Sequence, residues 1–233
     1  LGVGHERRFE KGWMRLKEII NNNKLGNVMH AEAHFSHDKL ANLPVDNWRA
    51  DPEFAPAAGM TGMGVHLTDL MIWLFGPVDK VFASTAKRAL KFKTGDVVTA
   101  SLQHSSGLNT QITAILKTPH YQRVTIWGEN GWVELVDSSH PDTPGPSFMK
   151  MVMNDGTIKE EEYEWTDTVS ANIHNFIDSI QGQSKYLFTD VEKFQNISVL
   201  EAIYKSSLSK QNEIVESFNY CLLYTSPSPR DLS

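Results

Sequence analysis

Gln122-Arg-Val-Thr-Ile-Trp-Gly-Glu-Asn-Gly-Trp-Val-Glu-Leu-Val-Asp137 decides the fold. Residues 122–128 and 131–137 read as two strands, and Glu129-Asn130-Gly131 between them is a tight-hairpin sequence. Further strands are expected at 78–87, 97–104, 108–117, 148–153 and 157–165, with turns at Ser106-Gly107 and Asn154-Asp155-Gly156. Connections this short join antiparallel neighbours. Upstream, Met29, Ala31, Ala33 and Phe35 alternate with His30, Glu32, His34 and Ser36. That period of two gives a strand from Val28 with one apolar and one polar face. Ser138–Ser147, with Pro141, Pro144 and Pro146, reads as a loop within the sheet.

Helical spacing appears in four places. Trp13, Leu16, Ile19 and Ile20 form one stripe, ended by Asn21-Asn22-Asn23 and Gly26. Leu67, Leu70, Met71, Leu74 and Phe75 form a second, stopped by Gly76-Pro77. Val169, Ile173, Phe176, Ile177 and Ile180 form a third. Thr189-Asp190-Val191-Glu192 is a capping box for the fourth, with Val191, Phe194, Ile197, Leu200, Ile203 and Leu208 as its expected buried stripe. A last short strand is expected from Ile214 to Phe218. The fold class is α+β: a large, mainly antiparallel open sheet with helices on one side.

The 233 residues are 40 % hydrophobic, enough for one sizeable core. A net charge of −6 and a pI near 5.8 argue against nucleic acid or acidic membrane surfaces as partners. No run approaches the roughly 18 apolar residues of a membrane span, and the start shows no signal-peptide pattern. A cytoplasmic location is therefore expected, with the proviso that an export signal would precede Leu1. The run Cys221-Leu-Leu-Tyr-Thr-Ser-Pro-Ser-Pro-Arg-Asp231 resembles read-through of a transposase-type sequencing adapter, so 221–233 is set apart as a non-native tail. The single Cys goes with it, leaving no thiolate for nucleophilic or metal chemistry.

A dinucleotide fingerprint requires G-x-G-x-x-G between strand and helix. Gly2-Val-Gly4 and Gly62-Met-Gly64 both lack the third glycine, having Arg7 and Leu67 there. The segment Ala57-Ala-Gly-Met-Thr-Gly-Met-Gly-Val-His-Leu-Thr-Asp69 runs from a Gly/Ala/Met loop into a helix. His66 and Asp69 are three apart on it and share a face near its start. Such a pair suits acid–base work, because His titrates near neutrality and a carboxylate can orient it. On the bare spacing alone, a packing or surface role is the better account of a His in a first turn. His30, His34 and His37, with Asp38, invite a metal reading, but a strand would point His37 away from the other two, and a solvated or inter-subunit sheet face accounts for them better. Arg49, beside Trp48, is either aimed at an anion or an ordinary surface Arg.

The order Gly4-His5-Glu6-Arg7-Arg8-Phe9, Leu25-Gly26-Asn27-Val28, Trp48-Arg49, Gly62-x-Gly64-x-His66-x-x-Asp69, Phe75-Gly76-Pro77-Val78 and Phe176-Ile177-Asp178-Ser179-Ile180 resembles the glucose–fructose oxidoreductase / inositol dehydrogenase / MocA family over residues 1 to about 219. The resemblance implies that 1–10 is the remnant of the last strand of a Rossmann domain and 11–220 the C-terminal α+β domain for substrate binding and oligomer contacts. The whole protein is then expected to use NAD or NADP to move hydride to or from a sugar, inositol or related polyol. The glycine fingerprint and an assisting Lys would precede Leu1, so the fragment alone would be inactive. A homo-oligomer through the open sheet face is implied. By the same resemblance His66 is the active-site histidine, Asp69 orients it or stabilises the helix start, and Arg7 and Arg49 lie near the cofactor. Gly62 stands where many members carry Asp, which leaves an NAD-dependent glycosidase or a non-catalytic binding or oligomerisation module as alternatives.

Overall fold

The computed structural model describes residues 1–44 and 46–217. The 221–233 tail and the Phe218 end of the last expected strand lie outside them. Among these residues, nine strands form one sheet: β1 (Val28–Ser36), β2 (Val78–Ala86), β3 (Val97–His104), β4 (Asn109–Ile115), β5 (Tyr121–Gly128), β6 (Gly131–Asp137), β7 (Ser147–Met153), β8 (Ile158–Tyr163) and β9 (Glu213–Ile214). Their order is β8-β7-β6-β5-β1-β4-β3-β2-β9. Two antiparallel meanders, β2-β3-β4 and β5-β6-β7-β8, therefore flank β1. β1 pairs antiparallel with β5 but parallel with β4, a junction that hairpin-length connections alone do not reveal. Gly131 opens β6 at φ +155, where a Cβ would meet the Val152 carbonyl, so the expected hairpin depends on glycine there.

Four helices accompany the sheet: α1 (Lys11–Asn21), α2 (Gly64–Phe75), α3 (Thr168–Ile180) and α4 (Asp190–Ser209). Trp13, Leu16 and Ile19 of α1, and Leu67, Leu70, Met71 and Leu74 of α2, are buried as their spacing predicts. They meet the inward residues Ala31, Ala33, Phe35, Ile112, Val124, Ile126, Val133 and Leu135 in one core. Each large aliphatic side chain so buried contributes about 1.5–3 kcal/mol. Gly76 at φ +84 ends α2, as its sequence requires.

Three expectations are corrected or sharpened. Met29 is exposed, because the β1–β5 register shifts between Val28 and His30 and the alternation starts only at Ala31. Leu1–Gly4, expected as the remnant of a strand of another domain, has no strand partner among the described residues, and its polar groups bind side chains, with Val3 N–H donating to Tyr186 Oη (3.2 Å) and Val3 O accepting from Asn172 Nδ2 (2.7 Å). Of the expected α4 stripe only Ile203 is buried, with Leu200 partly so; the rest of the buried face is Gln195, Asn196, Val199, Ala202 and Ser206. Val191, Phe194, Ile197 and Leu208 are exposed, because α4 lies close against α2 and β2 and small residues fit that gap. The capping box itself is formed, Thr189 Oγ1 accepting from Glu192 N–H (3.2 Å) and Glu192 from Thr189 N–H (2.9 Å). The α3 stripe is likewise largely exposed, at Val169, Ile173, Ile177 and Ile180.

Candidate active site

The site is built where a short 3-10 turn, Glu6–Phe9, meets the start of α2. Arg8 fixes that meeting. Its guanidinium donates to both Asp69 oxygens (Nε–Oδ2 2.9 Å, Nη2–Oδ1 2.7 Å), reaches Glu192 at 3.3 Å, and lies over the Phe188 ring at 4.3 Å. Both partners are buried, and a bidentate Arg–carboxylate pair sets orientation as well as distance. Burial pushes the Asp69 carboxyl up while the Arg8 hydrogen bonds pull it back. Asp69 therefore holds Arg8 rather than orienting His66, the first of the two roles expected of it: helix geometry puts the two residues on one side, but the guanidinium is the stronger claimant.

His66 stands with a buried Nδ1 that has no hydrogen-bond partner among the described residues. The His5 ring packs against it edge-on, centroids 5.6 Å apart. Asn196 Nδ2 donates to His5 Nε2 at 3.1 Å, so the proton of neutral His5 sits on Nδ1. Burial, followed by the fields of Arg7, His5 and His140, brings His66 down to about 3. At neutral pH it is a neutral imidazole, able to donate through one nitrogen and accept through the other.

Arg7 faces the same cavity. Its guanidinium binds Glu10 (3.0 Å) and Asp137 (3.5 Å) and covers the Phe35 ring at 4.6 Å, while its Nη1 is buried without a partner. Burial, with the second carboxylate of Asp137 close by, lifts Glu10 to about 7 despite Arg7. The cavity measures about 260 Å³ and is walled by Glu6, Arg7, Phe35, Gly62, His66, His140, Pro141, Asp142, Thr168 and Val169. A smaller one of about 30 Å³ shares Arg7 and His140 and is closed by Glu10, Asp137, Trp165 and Thr166. Gly62 lines the cavity, but it is not open space: a Cβ there would press on Leu40 Cδ1 at 2.8 Å, so any side chain at this position requires Leu40 to move.

Arg49 is not in this cavity. It is exposed, stacks on Trp48 at 4.2 Å, and borders a separate recess of about 20 Å³ whose wall includes the other side of Gly62. The strand histidines are also apart from one another: His30 bonds Asn109 O (2.8 Å), His34 bonds Ser36 Oγ (2.6 Å), and His37 packs against His140 at 4.8 Å. Arg8, His5, Asn196, His140 and Asp142 were not singled out from the sequence. His140-Pro141-Asp142 offered a local signal, an imidazole and a carboxylate two residues apart in a proline-stiffened loop. Arg8–Asp69 and His5–Asn196 are long-range pairings with none.

Residues 13–134, just over half of the chain, match the GFO/IDH/MocA C-terminal domain. The chain belongs to that family, an oxidoreductase family that includes sugar and inositol dehydrogenases. It is 24 % identical over 232 residues to a glucose-6-phosphate 3-dehydrogenase of Bacillus subtilis, covering 88 % of this chain and 63 % of that one. It is 25 % identical over 183 residues to an inositol 2-dehydrogenase of Gluconacetobacter diazotrophicus, covering 76 % and 50 %. The solved structure of a putative NADPH-dependent oxidoreductase from Desulfitobacterium hafniense superposes with a TM-score of 0.81 at 21 % identity, over 91 % of this chain and 64 % of that one. The WlbA dehydrogenase of Bordetella pertussis, in complex with NADH and UDP-GlcNAcA, gives 0.70 at 21 %, over 94 % and 64 %. These structural likenesses establish the fold. The chain spans less than two thirds of the length of each of these four proteins.

Proposed function

We propose that this chain is the substrate-binding part of an NAD(P)-dependent oxidoreductase that acts on a secondary hydroxyl, or the matching carbonyl, of a sugar, inositol or related polyol. The observation that carries this reading is one cavity lined by both His66 and Arg7, each of which holds a buried polar atom, Nδ1 and Nη1, without a partner among the described residues. Buried polar atoms are rarely left without partners, and two such residues lining one cavity fit a site that takes a polar ligand. A polyol, whose hydroxyls both donate and accept, is the chemistry that satisfies an imidazole and a guanidinium together.

The described residues do not form a dinucleotide cradle. At Gly59 a Cβ would meet Met63 and Ala114 at 3.0 and 3.2 Å, and at Gly64 it would meet Met60, so these glycines serve close packing rather than phosphate approach. Nicotinamide, which exchanges hydride, is therefore assigned to polypeptide outside them. In this chain His66 hydrogen-bonds the reacting oxygen. Its low proton affinity suits it to orienting a hydroxyl and passing its proton on, rather than storing a charge. Arg7, neutralised by Glu10 and Asp137, positions a neighbouring hydroxyl without drawing in a dianion.

In a polypeptide that carries this chain with a dinucleotide-binding domain, His66→Ala is expected to lower turnover of a sugar or polyol substrate by about 10²-fold or more. Reduced-nicotinamide absorbance reads the rate and circular dichroism reads folding. A folded variant with near-parental turnover removes His66 from the chemistry.

A further inference from the structure

The loop between β6 and β7 brings a second imidazole to the cavity, and its surroundings define what that ring can do. His140 Nδ1 lies 2.6 Å from Asp142 Oδ1. The Asp142 backbone N–H also approaches His140 Nδ1, at 3.4 Å, and would favour the opposite tautomer. The shorter contact decides, because a bare ring nitrogen and a carboxylate oxygen at 2.6 Å would repel unless a proton lay between them. Asp142 is ionised: Lys39 Nζ donates to both its oxygens at 2.6 and 2.7 Å, Thr143 Oγ1 donates at 3.0 Å, and these contacts hold its carboxyl well below the usual range. The His140 proton is thus on Nδ1, and Nε2 is left as an acceptor.

The loop is held rather than loose. Ser138 directs both its N–H (3.1 Å) and its Oγ (2.5 Å) to Pro146 O, Ser139 Oγ donates to Thr143 O (2.8 Å), and Trp165 Nε1 donates to Pro141 O (2.9 Å). His140 lines both cavities that Arg7 lines, and so shares the larger one with His66.

The geometry points to His140 as a substrate-contacting residue whose Nε2 accepts a hydrogen bond from a substrate hydroxyl, with Asp142 as the positioning residue that fixes the ring's tautomer. It occupies the functional gap left by Gly62, since an acceptor enters the same cavity from a different loop. This rests on the polyol reading of the His66 cavity and adds a second recognition point to it. A hydroxyl that donates to His140 and a reacting oxygen held by His66 fix two points of one sugar ring, which selects among epimers.

The test uses the ¹⁵N-labelled chain, with long-range ¹H–¹⁵N correlations reporting which nitrogen of each ring bears the proton, and His140→Gln assigning the signal. The expected result is a His140 protonated on Nδ1, whose Nε2 resonance moves saturably when myo-inositol or glucose is added. Asp142→Asn should transfer the proton to Nε2 and weaken the probe's binding about tenfold, whereas a merely structural Asp142 would leave the tautomer unchanged. A parental ring protonated on Nε2 overturns the proposal without any variant. Probes that move His66 but not His140 overturn it and leave the proposed function standing. Probes that move neither overturn both.

Discussion

Arg8 is buried where water cannot screen its charge, and Asp69 is the group that makes this tolerable. Removing one partner of such a pair strands the other, which costs about 3–5 kcal/mol. Asp69→Asn should therefore lower the unfolding free energy by about that amount, read from a denaturant midpoint. The neighbouring Glu192 contact at 3.3 Å offsets part of the loss. The result separates two roles. If stability is parental while turnover collapses, Asp69 acts on the chemistry and its partnership with Arg8 is incidental. At this scale the sequence was half legible: the spacing of His66 and Asp69 located the helix start and the cavity. It could not show that a guanidinium from a turn 61 residues upstream would take the carboxylate. Competition between partners is decided by three-dimensional distance, which periodicity does not encode.

Helix α4 carries the lesson of the next scale. Its N-terminus was readable because a capping box is local chemistry, complete within four residues. Its buried face was legible only at Ile203, because hydrophobic spacing assumes a partner surface far enough away for large side chains. Against β2 and α2 the available gap admits Val199, Ala202 and Ser206, with polar groups satisfied on the spot. Ser206 Oγ accepts from Ala83 N–H at 2.8 Å and donates to Gln211 O at 2.6 Å, tying the helix to the sheet and to its own exit. Ser206→Ala should cost about 1–3 kcal/mol by orphaning the Ala83 donor. Ile197→Gln, on the exposed face, should shift stability by no more than about 0.5 kcal/mol. Paired melting curves check both, and a reversed order would restore the large apolar stripe as the packed face. The strands, by contrast, were legible nearly to their ends, because hairpin turns and period-two alternation are both short-range. The parallel β1–β4 junction was not, since it depends on how the two meanders meet.

Across the whole molecule, burial of neutral histidine links the fold to pH. Seven of the nine histidines, His5, His34, His37, His66, His104, His120 and His140, are held below their ordinary value, burial being the leading cause for each. His37 falls to about 4 and His66 to about 3. An unfolded chain binds these protons near pH 6.5, while the folded chain resists them until far lower pH. The unfolded state therefore carries more protons throughout that window, and stability falls as pH drops. It is fully present above about pH 6.5 and drains away on the approach to pH 4. Glu10, Asp69 and Asp137 act in the opposite sense, because their raised values let the folded state take up protons first. These three carboxyls, each of which also binds an arginine, are outnumbered by the seven imidazoles. The denaturant midpoint is thus expected to fall steadily between about pH 7 and about pH 4.5, well before ordinary carboxylates titrate. Replacing His37, buried beside His140 rather than lining the His66 cavity, by Gln should flatten the upper part of that decline without altering the Arg8–Asp69 anchor. A midpoint that holds constant across the range would mean that these rings are solvated, and with them the cavity that His66 and His140 are argued to share.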